Sequence, residues 1–162
     1  MPRLTRTGPV LTAFAVLLSG GAVQAQPTRS APSSLPPTGG RYSHIVTSEL
    51  PPGSRLVMIA GQVGADSTGR IVSADPAEQI RLAYDNLDRA LLAAGATWDD
   101  VLKTTTFLTQ PSDVAVLRAV RATRFAGRTS PANTLVVVQA LHDPTVLFEV
   151  EAIAVIPPRS AR

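Results

Sequence analysis

Segments of strand and helix character follow one another in the order β-β-(β)-α-β-α-β-β, which predicts an α+β domain: a mixed β-sheet with two helices packed on one face. Three observations carry this expectation. A capped helical repeat runs from Asp75 to Gly95. Apolar, β-branched runs of strand length lie on both sides of it. A shorter helical stripe separates the later strands.

Residues 1–25 are expected to be a signal peptide. Arg3 and Arg6 precede the apolar run 10–18, and Val23-Gln24-Ala25 offers a small-x-small cleavage site. The run is too short to span a bilayer, which takes roughly 20 apolar residues; an uncleaved anchor is the alternative reading. Without an Arg-Arg pair or a cysteine at the cut, the general secretory route is expected. The destination is then periplasmic or secreted, with no stable membrane association after cleavage. Residues 26–40, rich in Pro, Ser, Thr and Gly, read as a flexible leader that cannot bury enough apolar surface to order itself. The domain spans 41–157, with a tail at 158–162, and is long enough for one real core.

Within the domain, Tyr42–Thr47 reads as a first strand and Arg55–Ala60 as a second, with Pro51-Pro52-Gly53 as the turn between them. Gly61-Gln62-Val63-Gly64 follows, and Asp66–Gly69 forms a hairpin turn into Ile71-Val72. The helix that comes next has Asp75 as its cap, Pro76 at its first position and Glu78 placed for a capping box. Ile80, Ala83, Tyr84, Leu87, Ala90, Leu91 and Ala94 keep helical spacing, and Gly95 ends it. Val101–Leu108 is a third long strand. Ser112 is placed to cap a second helix running to about Arg124, with Val116, Leu117 and Val120 buried. Strands over 134–140 and 146–155 complete the domain.

Composition excludes several function classes. The formal charge of +3 falls to +1 once Arg3 and Arg6 leave with the signal peptide, and aromatic residues make up 4% of the chain. Neither gives the footprint or stacking platform of a nucleic-acid binder. Cysteine is absent, so there is no thiol nucleophile and no thiolate ligand. His44 and His142 are too few and too scattered for a metal site. Gly61-Gln62-Val63-Gly64 lacks the lysine and spacing of a phosphate loop, and no cofactor is expected.

The last strand carries Glu149 and Glu151. Residues two apart on a strand share a face, and acids on an apolar face are costly unless they meet water, a partner or a ligand. The sheet face that the helices leave bare is expected to hold Val136, Val138, Ile153 and Val155, and to pack against further copies of the chain.

In these pieces taken together the chain resembles the RidA/YjgF family. They are Gly61-Gln62-Val63-Gly64, the helix ending Leu91–Gly95, the strand Asp100–Phe107, and the ending Pro131-Ala132 through Phe148–Ala154. The match runs from about Tyr42 to Val155. The resemblance implies a chorismate-mutase-like fold and a homotrimer with small-molecule sites between subunits. It also implies hydrolysis of reactive enamines and imines to carbonyl compounds and ammonia, without metal or cofactor. Glu149 matches the acid that positions the attacking water; Tyr42 matches the aromatic of the family's Pro-Tyr-Ser segment; Gly61 and Gln62 match as well. Typical deaminating members carry Pro-Ala-Arg, whose guanidinium grips the substrate carboxylate. Here the triplet ends in Asn133, which has no charge. Ala60 replaces a frequent serine, and Arg118 stands near the place of a family asparagine.

Simpler readings remain beside these. Glu149 suits a solvated strand position or one half of a salt bridge between subunits, and Glu151 a structural role. Asn133 suits local hydrogen bonding, and Tyr42 packing. Arg118, Arg121, Arg124 and Arg128 recur along the second helix as a solvated face; alternatively Arg118 or Arg121 replaces the missing guanidinium. The expected function is binding of a small carbonyl or imine metabolite, with hydrolysis through a water held by Glu149. A non-catalytic ligand-binding or structural trimer is the alternative. A ribonuclease or chaperone-like role fits the near-neutral charge least.

Overall fold

The computed structural model describes residues 26–158. The expected signal peptide lies outside them, as does the tail beyond Pro158. A four-stranded sheet is built from β3 (Arg55–Val63), β4 (Val101–Leu108), β5 (Ala132–Val137) and β6 (Phe148–Ile156), in the order β3-β6-β4-β5. β6 runs antiparallel to both its neighbours, and β4 pairs in parallel with β5. A parallel pair needs a crossover, and α2 (Val114–Arg124) supplies it. The sheet is therefore mixed, as the sequence predicts.

Helix α1 (Pro76–Ala94) begins where its cap signals lie: the Asp75 carboxylate accepts from the Ala77 N–H at 3.0 Å. Glu78 is exposed in the first turn, where its charge favours the helix dipole. Gly95 closes the helix at φ 78°, a left-handed conformation that suits glycine. Ser112 does not cap α2; a 3₁₀ turn over Pro111–Asp113 leads into that helix instead. Ile71 makes one isolated bridge with Ala65 rather than a strand. The turn before it is firm. The Asp66 carboxylate accepts from Thr68 Oγ1, Thr68 N and Arg70 N, which lowers its pKa to about 2. The final strands shift by a few residues because Val146 closes a turn on Asp143.

The segment before residue 41 corrects the expectation of a flexible leader. Thr28–Ser30 forms β1, paired antiparallel with β2 (Ile45–Thr47), the only part of the expected first strand that is extended and paired in this way. The Arg29 guanidinium donates to the carbonyls of Asp99 at 2.9 Å and Val101 at 2.8 Å. Backbone pairing and one long side chain do here what the apolar content of the segment cannot.

The covered sheet face is the core. Phe148, Val150, Ala152, Ala154 and Ile156 of β6 pack with Ile80, Tyr84, Leu87 and Leu91 of α1 and Leu117 of α2. Tyr84 touches Trp98, Phe125 and Phe148 at centroid distances of 5.6 to 6.4 Å. Burial pushes its phenol pKa up, against the pull of Arg121. The solvated-arginine reading of α2 fails at Arg121. This residue is buried, donates to Tyr84 Oη at 2.8 Å and lies over the Phe125 ring. Arg124 pairs with Asp85 and Asp88.

By register the other face carries Leu56 and Met58 of β3, Lys103, Thr105 and Phe107 of β4, Thr134 and Val136 of β5, and Glu149, Glu151 and Ile153 of β6. Met58 is 73% and Leu56 58% exposed, and Val136 and Ile153 are also exposed. Val155 differs from the expectation in being buried, and Val138 is half-buried just past the end of β5.

Candidate functional site on the bare sheet face

Glu149 is half-buried on this face, opposite Val63 of β3 and Phe107 of β4. Among the described residues, nothing makes a hydrogen bond or ion pair with its carboxylate. The side chain rests against Gly61. A Cβ at position 61 would stand 1.8 Å from Oε1 and 2.4 Å from Cδ of Glu149. Glycine thus leaves room for the Glu149 side chain where it lies, and its backbone does not itself call for glycine, since Gly61 has no positive φ. The approach is made by a bulge: Ile59 pairs with Ala152 and Gln62 with Val150, so Ala60 and Gly61 together face Glu151. Such an extra residue bends the strand and re-aims side chains.

After the bulge the two expected residues of the Gly-Gln pair aim differently but border the same cleft. Gly61 and Gln62 line an open cleft of about 610 Å³ with Leu82, Asn86 and Arg89 of α1, and the Gln62 amide donates to the Ala60 carbonyl at 3.0 Å. Gly61 stays beside Glu149. Asn133 is opposite Thr104 in register, and its carbonyl oxygen accepts from Thr104 Oγ1 at 2.8 Å. Thr104 and Thr106 are fully buried on the covered face, so Asn133 and Glu149 lie on opposite sides of the sheet. Tyr42 is half-buried, edge-on to His44 with centroids 5.2 Å apart, beside the Ser43–Ala132 bridge. Arg118 is exposed on α2, in the helix layer. Among the expected residues, one chain sets Gly61 against Glu149 and Gly61 with Gln62 in one cleft, and leaves Tyr42, Asn133 and Arg118 apart from them.

Lys103 was not anticipated as a site residue. Its Nζ donates to Thr134 Oγ1 at 2.8 Å, and desolvation lowers its pKa while Glu151 raises it. Its place two residues before Thr105 and four before Phe107 was the available signal, because alternation sets all three on one face. Four strand residues span roughly 13 Å, so Lys103 and Glu149 of one chain cannot grip a single three- or four-carbon acid.

A mixed sheet with two helices on one side and a bare, partly apolar face on the other is the chorismate-mutase-like α+β arrangement. The chain belongs to the RidA/YjgF family, and the sequence model of the family described as Endoribonuclease L-PSP matches residues 32–156. The chain is 35% identical over 124 residues to 2-iminobutanoate/2-iminopropanoate deaminase of Rattus norvegicus, covering 76% of this chain and 85% of the rat protein. The solved structure of YyfB, a Rid family protein of unknown function from Yersinia pestis, aligns with a TM-score of 0.74 at 30% identity, covering 81% of this chain and 99% of that one. TdcF of E. coli, solved with bound serine, aligns at 0.58 and 32% identity, covering 80% and 95%.

Proposed function

We propose that this protein binds a small carbonyl or imine metabolite and hydrolyses reactive enamines or imines to the carbonyl compound and ammonia, as a homotrimer acting after export. The observation that carries this reading is the unpaired Glu149 carboxylate, seated on Gly61 within an apolar sheet face. A second copy packed on that face would enclose the acid in a crevice without covering it with a basic partner of its own chain. The relative named as a deaminase of 2-iminobutanoate and 2-iminopropanoate, and the bound serine in TdcF, support a small amino- or imino-acid-like ligand.

The chemistry asks little of the protein. An enamine takes a proton on carbon to become its imine. Glu149 accepts a proton from water as the oxygen attacks the imine carbon and passes it to the nitrogen, which gives the neutral carbinolamine and returns the carboxylate. Transfer of the hydroxyl proton to the nitrogen through the same carboxylate then lets the C=O bond form as the C–N bond breaks, releasing ammonia. Metal and cofactor are not called on. Asn133 is engaged with Thr104 across the sheet and offers no guanidinium, which favours neutral or weakly anionic imines over a strongly held imino acid.

That engagement of Asn133 also favours a second reading, a trimer that binds its ligand without turnover. One assay separates the two: ammonia release from freshly generated 2-iminopropanoate and from neutral imines, with Glu149→Gln as control. The proposal expects wild type to exceed buffer, and the variant to lose a hundredfold or more of the enzymatic rate, the range of a positioned acid–base group (about 10²–10⁴). Equal rates for wild type, variant and buffer would leave binding alone.

A further inference from the structure

We propose that the cleft between α2 and the Gly39–Arg41 turn is a separate anion site that holds a small, multiply charged oxyanion between Arg41, Arg118 and Arg121. The cleft has a volume of about 150 Å³, and its remaining lining is Gly39, Gly40, Ala122, Phe125 and Ser130. It contains three guanidinium-bearing residues and no carboxylate. Arg118, Arg121, Ala122 and Phe125 are spaced to share one face of α2, so the helix presents two of the three cations to the same space.

Charge compensation elsewhere on α2 makes the contrast plain. Arg124 is paired with both Asp85 and Asp88, whereas among the described residues no ion pair involves Arg41, Arg118 or Arg121. Arg121 is more than nine-tenths buried. Its guanidinium donates to Tyr84 Oη at 2.8 Å and to the Arg41 carbonyl at 3.1 Å, which uses two of its five N–H groups. A buried cation held only by neutral oxygens and the Phe125 ring carries a desolvation cost that an anion would offset.

The opposite wall is shaped to complete the cradle. Gly39 and Gly40 both have positive φ, 60° and 73°, and turn the chain so that the Arg41 guanidinium folds back over Gly39. A Cβ on Gly39 would meet Arg41 Nη1 at 2.8 Å. Ser43 Oγ donates to the Ser130 carbonyl at 2.8 Å, and Ser130 Oγ donates to the Gly40 carbonyl at 3.4 Å, which fixes the floor. The volume is well below the roughly 300–1,000 Å³ of pockets for drug-sized ligands. A phosphate or a short dicarboxylate fits that scale, and a nucleotide does not. The cleft lies in the helix layer, on the far side of the sheet from Glu149, so the inference stands apart from the deaminase reading.

The test is calorimetric titration of the mature protein with inorganic phosphate and with malonate at low ionic strength. Saturable binding of at least one anion is expected, weakened tenfold or more by Arg41→Ala or Arg118→Ala and unchanged by Glu149→Gln. Arg41 and Arg118 are exposed, so their replacement removes no core packing, and Arg118→Gln gives a variant that keeps bulk and polarity without charge. Absence of saturable binding for both anions in the wild type would overturn the proposal, as would affinity that Arg41→Ala, Arg118→Ala and Arg118→Gln all leave intact.

Discussion

Gly61 shows how little of a site needs to be charged for its chemistry to depend on a residue. Its lack of a side chain makes the floor on which the Glu149 carboxylate lies. Gly61→Ala introduces no backbone strain, because φ is not positive, and the atom it would strike is the far end of a flexible side chain. The variant should therefore lose no more than about 1 kcal/mol of stability, the centre of the range for single substitutions, while Glu149 is pushed off its position. We expect ammonia release to fall at least tenfold with the urea midpoint nearly unchanged; a fully active Gly61→Ala would show that the seat of the carboxylate is irrelevant. Side-chain facing was only partly legible in the sequence. Glu149 and Glu151 could be put on one face by alternation. The bulge at 60–61 could not be read that way, because one extra residue reverses the facing of those that follow it on its strand. The turning of Asn133 toward Thr104 depends on the register of β5 with β4, which alternation within one strand does not supply. Arg121 was misread for a different reason. Its helical spacing resembles that of a solvated arginine, and only the three-dimensional approach of Tyr84 and Phe125 supplies the partners that allow burial.

Among the elements, α1 was the most readable, since cap, periodicity and terminating glycine all agree over its length. What the pattern did not announce is how the start of this helix is locked to the loop before β6. Gln79 is fully buried. Its amide nitrogen donates to the carbonyls of Ser73 at 2.7 Å and Thr145 at 2.8 Å, and its oxygen accepts from the Leu147 N–H at 2.9 Å. The helix also lies close on Gly64, where a Cβ would meet the Gln79 Cα at 2.7 Å. A polar residue on a helix's buried stripe reads as an interruption until its partners are seen. Gln79→Ala would leave the partly buried Leu147 N–H and the Ser73 and Thr145 carbonyls without their partner, and a fully buried group so stranded costs about 1–3 kcal/mol. Partial hydration of the loop should hold the total to about 3 kcal/mol, measured by urea denaturation. A loss below 1 kcal/mol would mean that the loop relaxes freely and that Gln79 is no lock. The β1–β2 hairpin went unread for the opposite reason: its stability comes from backbone pairing and the reach of Arg29, and neither leaves a hydrophobic signature.

For the molecule as a whole, the sequence was legible to the extent that a period maps onto a layer. Two helical stripes and a set of strands dictated a sheet with one covered face, and the family resemblance added the chorismate-mutase-like arrangement. The bare face followed from counting which side had nothing to cover it. Leu56, Met58, Val136 and Ile153 leave it with exposed apolar surface on three of the four strands, and soluble monomers seldom keep a large continuous patch of that kind. Association of copies through this face would bury the patch and form the crevice that Glu149 needs, so assembly and activity should be lost together. Met58 is the most exposed of the group, so Met58→Asp should leave the fold intact while placing a charge on the apolar patch. Light scattering behind size exclusion should give a trimer for the wild type and a monomer for the variant at micromolar concentration, with unchanged circular dichroism. In the same samples, ammonia release should drop to the level of Glu149→Gln. A wild type that is monomeric, or a monomeric Met58→Asp that retains full activity, would separate the acid from any neighbour and leave Glu149 to act from an open surface.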